Sequence, residues 1–465
     1  MNKNKNISAF YTIMLLPGLL LFLTAPLTAQ NVIRKAEDHF DRFTNVAGGW
    51  CAGDATISLP LPDGKTIWLF GDSFIGRKSG KYSIISSGSR MINNAVILDD
   101  GTEMTTIHGG SGDSPSSFIP PAGADIFWPE HAVMENDILK VFGVRIKFVD
   151  NQTPGFNFEV GTTYKAAFTY PGFGHISTTK FTSVTDSTFR FGACVVKSGE
   201  YTYIFGVKDT TAGIFTYPLP YLARVNESID EPWQFYAGSG NWSYNCSEAV
   251  PVGDRPMSES FYVYEKNGRF YLIMHEIWLK GELFILEADR ITGPWNRRSS
   301  GGTENRFAVI SPHAGNITYN LFAHPQFQDE GDILISFNVN TSNFISIYQD
   351  TRNYRARFYW LDVEAAAVTV IPDTIRLFDD PVGIIDLHNG RPESRLVYDP
   401  LNGCLKLRDI SSPALLEISG IDGRIYMERE IRDDAEINCR HLRGRMMIVS
   451  LRGKWGAETR KFFFR

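Results

Sequence analysis

Cysteine is scarce: Cys51, Cys194, Cys246, Cys404 and Cys439 are the five in 465 residues. Five is too few for a disulfide scaffold, and an odd count leaves at least one thiol unpaired. No Cys-X-X-Cys occurs, and no His/Cys cluster has zinc spacing, so a structural zinc fold is excluded. Cys404 and Cys439 either pair within the tail or are simply buried, and the residues leave both open. A dominant charge is also missing. With 46 Lys+Arg against 52 Asp+Glu the net charge is -6, which argues against a general nucleic-acid or membrane-surface binder. No amphipathic helical pattern stands out, and no apolar run beyond the first 29 residues is long enough to cross a membrane as a helix.

What is present points to strands and turns. Aromatics make up 13% of the chain and there are 41 Gly, a composition that suits flat substrates such as sugars but is equally ordinary for an all-β core. Residues 1–29 read as a signal peptide: Lys3 and Lys5 form a basic start, Ala9 to Leu23 an apolar core, and Leu-Thr-Ala29 precedes Gln30. Pro17-Gly18 interrupts that run. The nearest following cysteine is Cys51, too far for a lipid-anchored start. The expected location is secreted or cell-surface.

The stretch GGWCAGDATISLPLPDGKTIWLFGDSFIG, from Gly48 to Gly76, reads as a hairpin. Ala55 to Leu61 and Thr66 to Phe70 are its strands and Pro62-Asp63-Gly64-Lys65 its turn. Asp54 and Asp72 bracket it, so antiparallel pairing sets the two carboxylates side by side at the end opposite the turn. The pattern recurs after Glu130, at Gly192, at Glu259 and at His324. The starts at 54, 130, 192, 259 and 324 lie 76, 62, 67 and 65 residues apart. Further strand-like runs between the hairpins give about four short strands per unit. A repeat of that kind predicts an all-β fold, a five-bladed β-propeller over residues 30–375, with a stacked pair of β-sandwiches as the structural rival. Pro372, Pro381, Pro392 and Pro400 then punctuate a linker at 376–405. Residues 391–465 carry 15 Lys+Arg against 11 Asp+Glu, and 406–465 reads as a small C-terminal β-sandwich.

In a propeller the hairpin starts share one mouth, a concave rim with convergent polar groups. The hairpin geometry places Glu130 near Arg145, Glu259 near His275, and His324 near Asn338. Asp54, Asp72, Glu130 and Glu259 are therefore the candidate catalytic acids for glycoside hydrolysis, which needs one carboxylate to attack or activate water and another to protonate the leaving oxygen. Arg145, His275, His324 and Asn338 are candidate sugar-hydroxyl ligands, and Trp50 and Trp128 candidate flat faces for sugar rings. Each has a plainer reading. An acid at a strand end is commonly a cap or turn residue, aromatics in a β-fold are commonly core, and Asp72 either takes part in catalysis or only holds backbone amides beside Asp54. Gly109-Gly-Ser-Gly112 does not lead from a strand into a helix and reads as a loop, not a phosphate cradle. No metal-ligand loop is present and no cofactor is expected, with a channel Ca²⁺ left open.

Two resemblances add to this. Gly48 to Gly76, Phe127-Trp-Pro-Glu130, Phe191-Gly-Ala-Cys-Val-Val196, Tyr203-Ile-Phe-Gly206, Tyr221-Leu-Ala-Arg224, Thr292-Gly-Pro-Trp295 and Ala323-His-Pro325 resemble the motifs of a family of exported bacterial five-bladed propellers long labelled as domains of unknown function. Its wider group resembles arabinanase-type and furanosidase glycoside hydrolases. That implies a polysaccharide or oligosaccharide partner with a functional acid at Asp54 and its hairpin partner Asp72. The alternative is a non-catalytic carbohydrate-binding propeller. The tail from Ile410 to Arg465, through Leu416-Glu-Ile-Ser-Gly-Ile-Asp-Gly-Arg424, Leu442-Arg-Gly444, Met446 to Leu451 and Arg460-Lys-Phe-Phe463, resembles the sorting domain of the type IX secretion system. It implies an encounter with that machinery and passage across an outer membrane.

Overall fold

The structure is a computed structural model that describes residues 33–85, 89–149, 158–212, 215–254, 256–275, 282–297, 308–311, 316–341, 345–364, 375–376, 396–399, 403–410, 412–420, 425–442, 445–454 and 456–464. Residues 1–29, read as a signal peptide, most of the segment read as a linker, and Arg424 and Gly444 of the tail motifs lie outside them.

Strands dominate, and among the described residues five sheets built on antiparallel meanders follow one another along the chain, the fourth extended by a parallel pairing of Ala308–Ser311 with Ile375–Arg376. The first is built from Ile57–Pro60, Thr66–Phe70, Ala95–Asp99 and Met104–Ile107. The second holds Ile126–Glu135, Ile138–Phe148, Phe158–Thr169 and His175–Lys180. The third opens with Phe189–Ser198 and Tyr201–Ala212, and the fourth with Phe261–Lys266 and Arg269–His275. The fifth contains Asn316–Asp329, Asp332–Thr341 and Ala356–Leu361.

Local chemistry explains the hairpins. Asn136-Asp137, Asn267-Gly268 and Glu330-Gly331 each have positive φ at both positions, the two-residue turn whose twist matches paired strands. Alternation then sends one face of each strand into shared cores. Leu139, Val141 and Phe168 of the second sheet pack with Ile57, Ile67 and Leu69 of the first, while Phe205, Phe261, Ile273 and Ile335 join the third, fourth and fifth.

The sheets form a ring. Their opening strands touch in succession, and that of the fifth returns to that of the first. The N-terminal strand Ile33–Lys35 pairs antiparallel with Ala356–Leu361 as the outer strand of the fifth sheet. Arg34 fastens it through Asp329 at 2.7 Å and Asp332 at 3.2 Å.

The register departs from a plain hairpin at one recurring place. The opening strands of the second, third and fifth sheets are irregular between Pro129 and Ala132, Phe191 and Cys194, and Tyr319 and Phe322. Such bulges bend a strand and re-aim its side chains. Glu130 lies inside the first of them, and Gly192 inside the second, where an added Cβ would meet Phe142 at 2.6 Å.

The tail has two sheets. Ala414–Gly420, Ile425–Ile431, Arg445–Gly453 and Gly456–Phe464 form one. The other pairs Leu396–Asp399 with Cys404–Leu407, and that with Ala435–Asn438. Leu396–Asp399 and Cys404–Leu407 are thus strands where a linker was expected through 405, because Leu396, Leu405 and Leu407 enter a core with Leu416, Val449 and Leu451. No disulfide joins Cys404 to Cys439, and the buried Cys439 thiol donates to the Ile437 carbonyl at 3.4 Å. Gly109–Ser111 pairs with Ser114–Ser116 as a small hairpin, not an open loop.

Candidate active site

A short sheet of Trp50–Gly53, Ser73–Ile75 and Arg90–Ile92 leads into and out of the first hairpin, with Gly53 opposite Ser73. Asp54 follows its first strand and Asp72 precedes its second. The Asp54 amide donates to the Asp72 carbonyl at 3.3 Å, and the Gly71 amide to the Asp54 carbonyl at 2.9 Å. The backbone therefore holds the two acids together as the hairpin requires.

The chain turns sharply after Asp54. Ala55 and Thr56 have φ of +70° and +59°, and the Thr56 amide donates back to the Asp54 carbonyl at 3.1 Å. Left-handed backbone at two non-glycine residues, one β-branched, is strained and persists only where surroundings enforce it. Asn338 helps enforce it: its Nδ2 donates to Thr56 Oγ1 at 3.1 Å.

Both carboxylates are half-buried and specifically held. Tyr319 Oη donates to Asp54 Oδ2 at 2.7 Å and itself accepts from Asn340 Nδ2 at 3.2 Å. Tyr354 also bonds to Asp54. Burial and the Asp54 charge hold both phenols well above their ordinary range, so each remains a donor. Asp72 Oδ1 accepts from Asn93 Nδ2 and Trp128 Nε1, each at 3.2 Å. Burial pushes Asp54 upward against the tyrosine bonds; burial and then the neighbouring Asp54 charge push Asp72 upward. The pair titrates as a unit near the range useful for acid–base work.

Gly71 leaves space for this pair. A Cβ there would come within 2.5 Å of Asp54 Oδ1. Gly71→Ala should therefore displace the carboxylate and lower kcat by about 10-fold to 10²-fold, with an unchanged far-ultraviolet circular dichroism spectrum; unchanged turnover would contradict that placement.

Glu130 is the second acidic centre. It is half-buried and has no hydrogen-bond partner among the described residues. Burial first, then the Glu259 charge, push its carboxyl up to about 8, with Arg190 opposing. At neutral pH it is protonated, the state of a proton donor. A stability consequence follows from the sign. Because the folded value lies above the ordinary 4.5, the contribution of Glu130 is full below about 4.5 and is lost as pH rises through about 8. Glu130→Gln should thus melt at a higher temperature than wild type near pH 9 and match it near pH 4; thermal melts at both pH values check this.

Glu259 is placed differently. It is 50% exposed and accepts from Arg190 Nη2 at 2.7 Å, while Arg190 also grips Asp209 at 2.8 and 3.2 Å. Arg190, Tyr319, Tyr354 and Asn93 were not found from the sequence. A polar residue alternating with two aromatics in Phe189-Arg190-Phe191 is a signal that could have found Arg190; no comparable pattern marks the others.

Several sequence-derived ligands are corrected by burial and register. Trp50 is 1% exposed and packs on Phe70 at 4.7 Å, so it is core and not a sugar platform. His324 is fully buried with both ring nitrogens engaged, Nδ1 with Ser58 Oγ at 2.7 Å and Nε2 with Ser336 Oγ at 2.9 Å. It pairs with Leu334, four residues from Asn338, which faces Tyr319 and is itself fully buried. His275 is buried 3.5 Å from Ser258 Oγ. Arg145 is opposite Phe127, not Glu130, and pairs with Asp125 at 2.6 Å. Trp128 is half-buried, held by Asp72 and edge-on to Phe158 at 4.9 Å. Among the described residues no three His, Cys, Asp or Glu side chains converge as a metal site, and no helix is long and apolar enough to cross a membrane.

A ring of meander sheets whose opening strands touch in succession defines a β-propeller-like protein. The chain belongs to the family described as Domain of unknown function (DUF5005), whose model matches residues 37–363. Its fold is similar to that of a Bacteroides ovatus protein described as a "putative hydrolase", at 17% identity and a TM-score of 0.56, over 70% of this chain and 89% of that one. Weaker likenesses are to a GH43_1 enzyme from Xanthomonas citri complexed with xylose, at 13% identity, TM-score 0.41 and coverage of 71% and 93%, and to an α-L-arabinofuranosidase from Podospora anserina in complex with cellotriose, at 10%, 0.38, and 68% and 92%. No curated protein matches the chain in sequence.

Proposed function

We propose that the protein is a glycoside hydrolase acting on a polysaccharide or oligosaccharide, furanoside-containing in the manner of arabinan, at the mouth of a five-bladed propeller whose blades are the five meander sheets. The observation that carries this reading is the coexistence of a tyrosine-held Asp54 with a Glu130 carboxyl pushed up to about 8. Asp54 is the nucleophile or base. Glu130 is the proton donor in preference to Glu259, which is committed to Arg190. Asp72 acts through Asp54 by keeping a like charge beside it, and Arg190 holds Glu259 beside Glu130.

This division of labour follows from charge. Glycoside cleavage needs one carboxyl ionised and another protonated at the same pH. Two phenolic donors favour the ionised form of Asp54, whereas Glu130 has no hydrogen-bond donor and lies near a second carboxylate. A propeller that only bound carbohydrate would gain nothing from an unpartnered, half-buried Glu130 beside another acid.

The test is digestion of a panel of plant and microbial glycans by the wild-type protein and by Asp54→Asn. Product from wild type alone supports the reading. Equal product from both, or none from either while glycan binding persists, sinks it in favour of the binding module. The two tail sheets with their common core are further proposed to be the β-sandwich of a type IX sorting domain, and the protein to be exported to the cell surface or medium. Deleting 406–465 should then retain the protein inside the producing cell, which fractionation would detect.

A further inference from the structure

A small cavity lies behind the Asp54 turn, with room for one water-sized group. Phe43, Trp50, Phe70 and Phe358 make its walls aromatic, and Thr56 and Arg355 are its polar points. Arg355 is 1% exposed, its guanidinium 5.5 Å over the Trp50 ring. Its Nε donates to the Cys51 carbonyl at 2.7 Å, but among the described residues Nη1 and Nη2 have no hydrogen-bond partner, and neither does Trp50 Nε1.

The charge is uncompensated too. Asp350, the carboxylate that bears on Arg355, is gripped by Arg352 at 2.8, 3.0 and 3.1 Å. Further cations surround the site. Arg357 Nη1 donates to the Arg355 carbonyl at 3.2 Å, and the Lys78 ammonium, bonded to the Thr44 carbonyl, is close enough to repel Arg355. The Cys51 thiol supplies no counter-charge, since burial raises its pKa and it donates to the Gly49 carbonyl at 3.3 Å. A buried guanidinium with two unsatisfied Nη groups and no counter-charge is strongly unfavourable. Water would supply the acceptor alone; a monatomic anion supplies both.

We propose that this cavity binds a single small monovalent anion, chloride, through Arg355 Nη1 and Nη2. The ion sits against Thr56 and so props the left-handed turn that presents Asp54. The site is independent of whether the protein hydrolyses anything.

Two measurements test it. Crystals of the wild-type protein in sodium bromide, measured at the bromine absorption edge, should show an anomalous peak in contact with both Nη atoms; no peak there overturns the proposal. At equal ionic strength, the wild-type Tm in about 0.2 M chloride should exceed that in gluconate by about 2 °C or more, because a ligand that binds only the folded state stabilises it. Arg355→Met should lose that difference. A chloride increment that survives the substitution overturns the proposal, as does a bromide peak without any Tm difference, since the site would then be empty at working concentrations. The diffraction arm uses only wild type and stands if the variant does not fold.

Discussion

Asp54→Asn is expected to lower turnover of the cleaved glycan by about 10²- to 10⁴-fold while leaving the Tm within a few degrees of wild type. The amide keeps the shape and can still accept from Tyr319 and Tyr354, but it can neither attack nor take a proton. It also removes the charge that raises Asp72, so fold stability should not suffer from electrostatics. Steady-state kcat with the first glycan identified is the measurement. A loss of less than about 10-fold would place the nucleophile or base elsewhere.

Glu130→Gln carries the second large effect. With a natural glycan, whose departing alcohol needs a proton, kcat should fall by about 10²- to 10⁴-fold. With an aryl glycoside carrying an acidic phenol, the fall should be far smaller, because that leaving group departs unprotonated. The pH profile supplies an independent readout. Activity of the wild type should decline above about 8 as Glu130 ionises, and that alkaline limb should vanish in the variant. Equal losses on both substrates would make Glu130 a structural acid.

The part of the site written into one hairpin was legible. Pro62-Asp63-Gly64-Lys65 closes a tight connection, Ile57 pairs with Leu69 and Pro60 with Thr66, and the left-handed turn at Ala55-Thr56 inserts no extra residue, since Gly53 still falls opposite Ser73, so Asp54 and Asp72 meet. Reading across the other hairpins failed where the ladder inserts residues. The bulge after Pro129 puts Gly143 opposite it and leaves Arg145 with Phe127. In the fifth sheet two irregularities accumulate, so His324 falls in the middle of its strand and Tyr319 takes the rim position. Bulges of this kind have no strong residue signature. Burial was the other hidden quantity: Trp50 alternates like a surface aromatic, but the helix Glu37–Arg42 and the following Phe43 cover it. Tyr354 reaches Asp54 from a short turn before the last strand of the ring, a contact set by closure of the whole circle and not by neighbouring residues.

The pairing of Ile33–Lys35 with Ala356–Leu361 sets the order of assembly. The first strand to be synthesised has no partner until nearly the last strand of the ring exists, so closure is the most non-local event in the fold. Contacts that distant slow folding, and throughout synthesis the open circle presents unpaired strand edges that invite wrong partners. The chain thus elongates from Ile33 to Ala356 before its native closure can begin. The late pairing makes the three residues at 33–35 a latch whose loss would be felt in the last strand of the ring.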